Sequence, residues 1–152
     1  MATGTGKWYS QFFKLALDKK VNLVTSTIDT LAITLHTSAY DFTNGQDTHD
    51  YFNDATSELG TATGYTAGGK ALSSVTWSYS AGGNLWILDA ADVTWSSSTI
   101  TARYAVITDT QPGASNTNPL IACIDFGTDV VSQGGDFSIT FDVNGIAKLT
   151  VS

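Results

Sequence analysis

The chain has 152 residues, a length that suits one domain with a core of its own and no need of disulfides. Only 14% of its residues are charged, against roughly 25% in typical soluble domains, and the formal net charge is −7. Seven basic side chains against fourteen acidic ones offer no patch for a phosphate backbone and set the chain against anionic lipid, so neither nucleic acid nor membrane is an expected partner.

No stretch approaches the ~20 apolar residues of a membrane span, and no apolar core of a signal peptide follows the first residues. Met1 to Lys7 is small, polar and Gly-rich, and is expected to be a flexible N-terminal arm that orders against a partner subunit. Gly4-Thr5-Gly6-Lys7 lacks the spacing of a phosphate loop. From Trp8 to Lys20 the apolar residues Tyr9, Phe12, Phe13, Ala16 and Leu17 recur at intervals of three and four, which predicts a helix with one apolar face. Its aromatic density suits either a plug for one end of a sandwich or a surface that docks on a neighbour.

Ile28 to Leu35 alternates as a strand with Leu31, Ile33 and Leu35 inward. Asp41 to Gly68 reads as a long irregular segment with a turn at Asn44-Gly45. Thr48 or Asp47 would cap a helical turn presenting Tyr51 and Phe52 to the core. Asp47, His49, Asp50 and Asp54 do not match a calcium-loop pattern, and His36 is the only second soft ligand for zinc. Ala71 to Tyr79, the loop Ser80 to Asn84 and the return Leu85 to Asp89 form the clearest hairpin of the middle chain. Trp77, Trp86 and Trp95 are expected near one another.

Asp89 to Asp109 holds the strand that organises the chain. Ile100, Ala102, Tyr104 and Val106 point one way, while Ala105–Ile107 is apolar on both faces, as in a central strand. Arg103 is the only arginine and needs an acid; Asp92 is the expected partner in a structural ion pair, with Asp89 or an acid on a neighbouring strand as alternatives. Thr110 to Asn118 reads as a protruding loop. Pro119 to Phe126 is an apolar strand with Cys123 as a small buried hydrophobe. Asp136 to Asp142 and the strand after Asn144-Gly145 close the chain as a hairpin. The expected fold is all-β: an antiparallel β-sandwich or jelly-roll-like barrel with a short N-terminal helix, spanning 1–152 as a single domain.

No nucleophile elbow is present, and the Asp89/Asp92 pair sits at a turn where acids ordinarily accept backbone donors. No catalytic residue, metal or cofactor is expected, and the chain reads as non-enzymatic. Lys7, Trp8, Tyr9, Phe12, Phe13, Tyr51 and Phe52 are the interface candidates. Trp77, Trp86 and Tyr79 are the candidates for a glycan contact in a competing reading.

Several stretches together resemble small virion structural proteins of tailed bacteriophages. They are Ile28-Asp-Thr-Leu-Ala-Ile-Thr-Leu-His-Thr-Ser-Ala-Tyr40, Gln46-Asp-Thr-His-Asp-Tyr51, Gly64-Tyr-Thr-Ala-Gly-Gly69, Asp92-Val-Thr-Trp-Ser96, Thr99-Ile-Thr-Ala-Arg-Tyr-Ala-Val106 and Pro119-Leu-Ile-Ala-Cys-Ile-Asp-Phe-Gly127. The resemblance covers most of residues 7–152. It implies a virion structural protein; taken with the low charge, the Gly-rich arm and the protruding loop, the leading expectation is a capsid decoration (cement) protein, a homotrimer made in the host cytoplasm and held on the outer virion shell by the major capsid protein. A tail or head-fibre adhesin for host glycans, or a tail or neck component, is the alternative.

Overall fold

The computed structural model describes residues 2–24 and 26–151, so Met1 of the expected arm lies outside the described residues. In chain order the elements are β1 (Ala2–Gly4), β2 (Gly6–Trp8), α1 (Ser10–Leu17), β3 (Leu31–His36), α2 (Phe42–Thr48), a 3-10 turn (Phe52–Asp54), β4 (Lys70–Ala71), β5 (Thr76–Ser80), β6 (Leu85–Asp89), β7 (Val93–Asp109), β8 (Leu120–Phe141) and β9 (Ala147–Thr150). The structure is mostly β, 48% strand, as the alternating sequence predicts. One sheet has the order β1-β8-β7-β3-β4 with β2 also on β8, and the other is β5-β6-β9. The first sheet is mixed, because β1 runs parallel to β8. That pairing departs from a purely antiparallel scheme.

The long β7–β8 ribbon is the frame. Its register runs from Val93↔Ile139 to Thr108↔Leu120, with irregularities between Trp95 and Ser98, between Ser98 and Thr99, between Ala102 and Tyr104, and between Ile107 and Thr108. At the first of these Ser97 adopts φ 49 and Gly134 φ 73, so both strands turn a corner together. The corner explains why the sequence reads as two separate strands, Pro119–Phe126 and Asp136–Asp142, where the protein has one bent one. Hydroxyl pairs bridge the ribbon on either side of it: Ser98 Oγ lies 2.8 Å from Ser132 Oγ, and Thr94 Oγ1 2.9 Å from Ser138 Oγ. Trp95, Ile100, Ala102, Phe137 and Ile139 face the core from the bent ribbon.

The N-terminal segment clasps the two ends of this ribbon. Gly4 pairs with Phe141 and Gly6 with Ile124. Two residues of strand cover about 7 Å, whereas the β8 stretch between those partners would span about 56 Å if straight. The clasp therefore requires the fold-back. Gly4 is needed here, since a Cβ on it would lie 2.5 Å from Ile124 Cγ2. The expected free arm is thus strand-paired over Ala2–Gly4 and Gly6–Trp8. Segments of three residues show no periodicity, so only the distant partner reveals them as strands.

The helix begins two residues later than predicted, because Trp8 is spent in β2 and Tyr9 sits at the N-cap. Its C-terminus closes with Lys19 N–H on the Ala16 carbonyl and Lys20 N–H on the Leu15 carbonyl, with Lys19 at φ 59. This is the left-handed cap that glycine usually fills. Asn44-Gly45 lies inside α2 instead of forming a turn, and Asp41 caps that helix through Asn44 N–H. The helical turn expected after Thr48 is the 3-10 turn Phe52–Asp54, with Tyr51 at its N-cap and no side-chain cap from Thr48 or Asp47. Gly45 is tolerated because the His49 ring packs where its Cβ would be. β3 is buried at all six positions because it lies between β7 and β4.

Candidate functional site

A run of aromatic rings crosses from the clasp to the small sheet. The Trp8 ring meets Phe12 at 5.0 Å and Trp77 edge-on at 5.9 Å. Trp77 stacks on Trp86 at 5.2 Å, and Tyr79 leans on Trp86 at 5.5 Å. The register explains the run: Trp77 and Tyr79 share one face of β5, Tyr79 lies opposite Trp86, and Trp77 is diagonal to it. Each such ring pair contributes about 0.5–1.5 kcal/mol beyond buried area. Trp77 and Trp86 cover one face of each other by stacking, while Tyr79 is 49% exposed. Trp95 is apart from this run, fully buried against Tyr65 and Phe137.

Beside this run lies an open apolar groove of about 270 Å³ between α1 and the small sheet. Phe13, Leu17, Leu23, Trp77 and Leu149 are among its walls. Leu17 is 84% exposed and Val24, just past the wall residue Leu23, is 62% exposed. Val131 and Val143 are exposed as well, but neither lines this groove; at Leu17 an exposed aliphatic side chain borders an apolar depression, the arrangement expected of a contact surface. A second, more polar groove continues past Phe13 and is lined by Lys7, Trp8, Ser10, Gln46 and Lys148.

The interface candidates divide accordingly. Lys7, Trp8 and Phe13 border these grooves. Phe12 lines the apolar one from beneath at 3% exposure. Tyr9 is wholly buried, and its hydroxyl shares a 2.7 Å hydrogen bond with that of Tyr40, which lies 3.1 Å from His49 Nδ1. Burial raises the titration of both phenols and of the neighbouring Cys123 thiol. Tyr51 and Phe52 lie elsewhere: Tyr51 bridges to Pro119, and Phe52 packs edge-on to His36. His36 is itself buried, with Nδ1 2.8 Å from the Thr56 carbonyl and Nε2 2.9 Å from the Thr34 hydroxyl. Because a carbonyl only accepts, Nδ1 carries the proton and Nε2 accepts from Thr34.

Arg103 pairs with Asp125, not Asp92. Its Nε and Nη2 donate to the two carboxylate oxygens at 2.6 and 3.2 Å. Tyr104 stands opposite Asp125 next to a ribbon irregularity, which sets Arg103 beside that carboxylate. Asp92 lies eleven residues upstream, about 36 Å of strand away, and accepts from Phe141 N–H. The Arg103 guanidinium holds the Asp125 carboxyl below its usual range.

Val21, Leu23 and Leu149 were not among the residues singled out from sequence. The only signal for the first two is an apolar run resuming just after the helix cap. Leu149 alternates with Ala147 in a four-residue strand too short to show which face is covered. The Thr110–Asn118 loop is exposed along most of its length but anchored: Phe52 N–H donates to the Asn118 carbonyl and Asn53 N–H to that of Ser115.

No helix among the described residues is long and apolar enough to cross a membrane. Comparison with protein-family models, with curated proteins and with solved structures gave no match to the chain.

Proposed function

We propose that this chain is a structural protein of a bacteriophage virion, a capsid decoration protein that binds the outer shell beside the major capsid protein and copies of itself. The observation that carries the reading is the apolar groove at α1 with Leu17 84% exposed at its lip. Leaving such a side chain in water forfeits about 1.5–3 kcal/mol that burial in a contact would recover. A low-charge, hydroxyl-rich pair of sheets, packed as a sandwich, suits a part held among repeated neighbours. The resemblance to small phage virion proteins over most of residues 7–152 points the same way.

The mechanism is mass action. A chain that binds the assembled shell and not its separated subunits stabilises the shell by about 2.7 kcal/mol per site at one hundred times the dissociation constant. The groove face would meet the shell or a sister copy, and the loop at Thr110–Asn118 would face outward.

The test is occupancy on purified expanded shells, read by imaging the particles. Wild-type chain is expected at symmetry-related positions on the outer surface, and Leu17→Asp at least tenfold lower at equal concentration. No binding of wild type to shells, or a position in the tail, overturns the reading. Saccharide binding that is lost in Trp86→Ala would favour a glycan adhesin instead.

A further inference from the structure

The small sheet ends on an open strand. In the order β5-β6-β9, β9 is flanked by the N-terminal clasp, whose Gly6 N–H and Trp8 Nε1 donate to the Ile146 and Lys148 carbonyls. β5 pairs only with β6, and no other strand among the described residues pairs with its outer side. An open edge is a row of unused backbone donors and acceptors, and proteins that stay single guard it with charge, proline, bulges or extreme shortness. β4 and β8 also have open sides, and both are guarded. β4 has two residues, one of them Lys70. The outer side of β8, between the stretches held by β2 and β1, carries Asp125, Asp129 and Asp136, and its course is bent at Gly127, φ 81, and Gly134, φ 73. β5 reads Thr76-Trp77-Ser78-Tyr79-Ser80, with no charge, no proline and no glycine.

The residue order of β5 is also self-complementary. Hydroxyl, ring, hydroxyl, ring, hydroxyl reads the same in both directions. Turned about a twofold axis at Ser78 and set antiparallel to itself, the strand places Trp77 opposite Tyr79 of a second copy, Thr76 opposite Ser80, and Ser78 opposite Ser78. Rings then meet rings on one face and hydroxyls meet hydroxyls on the other. Both pairings already occur within the chain, where Tyr79 lies opposite Trp86 and Thr94 Oγ1 meets Ser138 Oγ. A slip of one residue would set every ring against a hydroxyl. The aromatic run through Trp86 and Trp77 ends at this edge, with Tyr79 49% exposed and its hydroxyl donating to Asn84 Oδ1. A second copy continues the run with the alternation it requires.

We infer that β5 of one copy pairs antiparallel with β5 of a second copy about a twofold axis at Ser78, joining two three-stranded sheets into one of six strands. The contact is isologous, so it closes at two copies, unlike the homotrimer expected from sequence. Five residues a side fall well short of the roughly 20–30 of a standard interface, so the dimer is weak, with a dissociation constant on the order of 100 μM. Each copy carries a net charge of −7 and the edge itself none, so added salt strengthens the pairing by screening. The inference stands without the decoration reading; within that reading it names the contact between sister copies.

Sedimentation of the full chain from low to high micromolar concentration tests it. Wild type is expected to pass from monomer to dimer and no further. Ser78 is exposed, so Ser78→Lys and Ser78→Glu should keep the native circular dichroism and melting transition. Each sets like charges against one another across the axis and should weaken dimerisation at least tenfold. Mixed one to one, the two variants should dimerise again, because an axis at this residue brings position 78 against itself. Ser78→Cys gives a readout without a change of charge. Opposed Cα atoms in an antiparallel pair lie about 4.5–5.5 Å apart, within disulfide range, so oxidised glutathione should link this variant into a covalent dimer. Thr76→Cys, exposed but opposite position 80, should link at least tenfold more slowly. A wild type that stays monomeric at high micromolar concentration, a dimer unaffected by Ser78→Lys, or a one-to-one mixture that stays monomeric would overturn the inference. A monomer that nonetheless occupies shells would sink this pairing and leave the decoration reading standing.

Discussion

Trp8 Nε1 donates to the Lys148 carbonyl at 2.7 Å, joining the N-terminal clasp to the strand that ends the described chain. Gly6 N–H donates to the Ile146 carbonyl at 2.6 Å just beside it. Removing the first eight residues therefore strips two strands and an indole from the fold, not a loose tail. Trp8→Ala should lower stability by about 2–3 kcal/mol, for a half-buried ring with several aromatic neighbours. Trp8→Phe should cost less, roughly 1–2 kcal/mol, since the ring contacts survive in part and the hydrogen bond does not. Urea unfolding measures both, and a Trp8→Ala midpoint equal to wild type would show the clasp to be dispensable.

Lys19 closes α1 in the left-handed region at φ 59. A lysine Cβ is crowded there and glycine is not. Lys19→Gly should raise stability by about 0.5–1 kcal/mol, and Lys19→Val should lower it by more than that. Thermal unfolding at fixed pH distinguishes the two. The opposite order would mean that the lysine stem makes a compensating contact.

How much of this was legible beforehand differs by element. β5 begins at Thr76, five residues later than expected, and β7 reaches back to Val93. β7 from Ile100 onward, β6 and the apolar start of β8 carry alternation or long apolar runs, and they are strands where the sequence predicts them. Cys123 is a buried core residue for the same reason. β1 and β2 are not legible, because three-residue segments such as Ala2-Thr3-Gly4 and Gly6-Lys7-Trp8 are too short to carry a period and their partners lie more than a hundred positions away. α2 is hidden by Asn44-Gly45, whose turn preference loses to the close seat that Gly45 gives the His49 ring. Of the groove, the helix supplies Phe12, Phe13 and Leu17 from its visible apolar face. Trp77 lies sixty or more positions away in the β5–β6 hairpin, and only the tertiary fold brings the two sets together.

The Arg103–Asp125 pair is bidentate but partly exposed, at 26% and 39% side-chain accessibility. Such pairs contribute about 0–1 kcal/mol, and salt screens them. A double-mutant cycle with Arg103→Ala and Asp125→Ala should give a coupling below about 1 kcal/mol that shrinks further in 1 M salt. Asp92→Ala should show no coupling to Arg103. It should still destabilise, through the lost acceptor for Phe141 N–H. Strong coupling between positions 92 and 103 would contradict the observed register.

Asp109, at the end of β7, is fully buried, and burial together with the nearby Asp29 carboxylate pushes it up to about 7. One of its oxygens accepts from Gln111 N–H, and the other has no donor among the described residues. The native state thus keeps a proton that the unfolded chain releases near pH 4. Between about pH 4 and 7 the native form binds more protons, so stability from this site is complete at the acid end and falls as pH rises through 7. His36 acts with the opposite sign. Burial lowers its titration, so its contribution is whole above about pH 6.5 and declines on acidification. Asp109→Asn separates the two, because the amide keeps the neutral shape at every pH. The variant should be more stable than wild type at pH 8 and should lose the decline that wild type shows as pH rises from about 4 to 7, while the loss on acidification attributable to His36 persists. Denaturant midpoints measured from pH 4.5 to 8.5 check this. A wild type whose stability rises steadily through pH 7, with Asp109→Asn running parallel to it, would place the shared proton elsewhere.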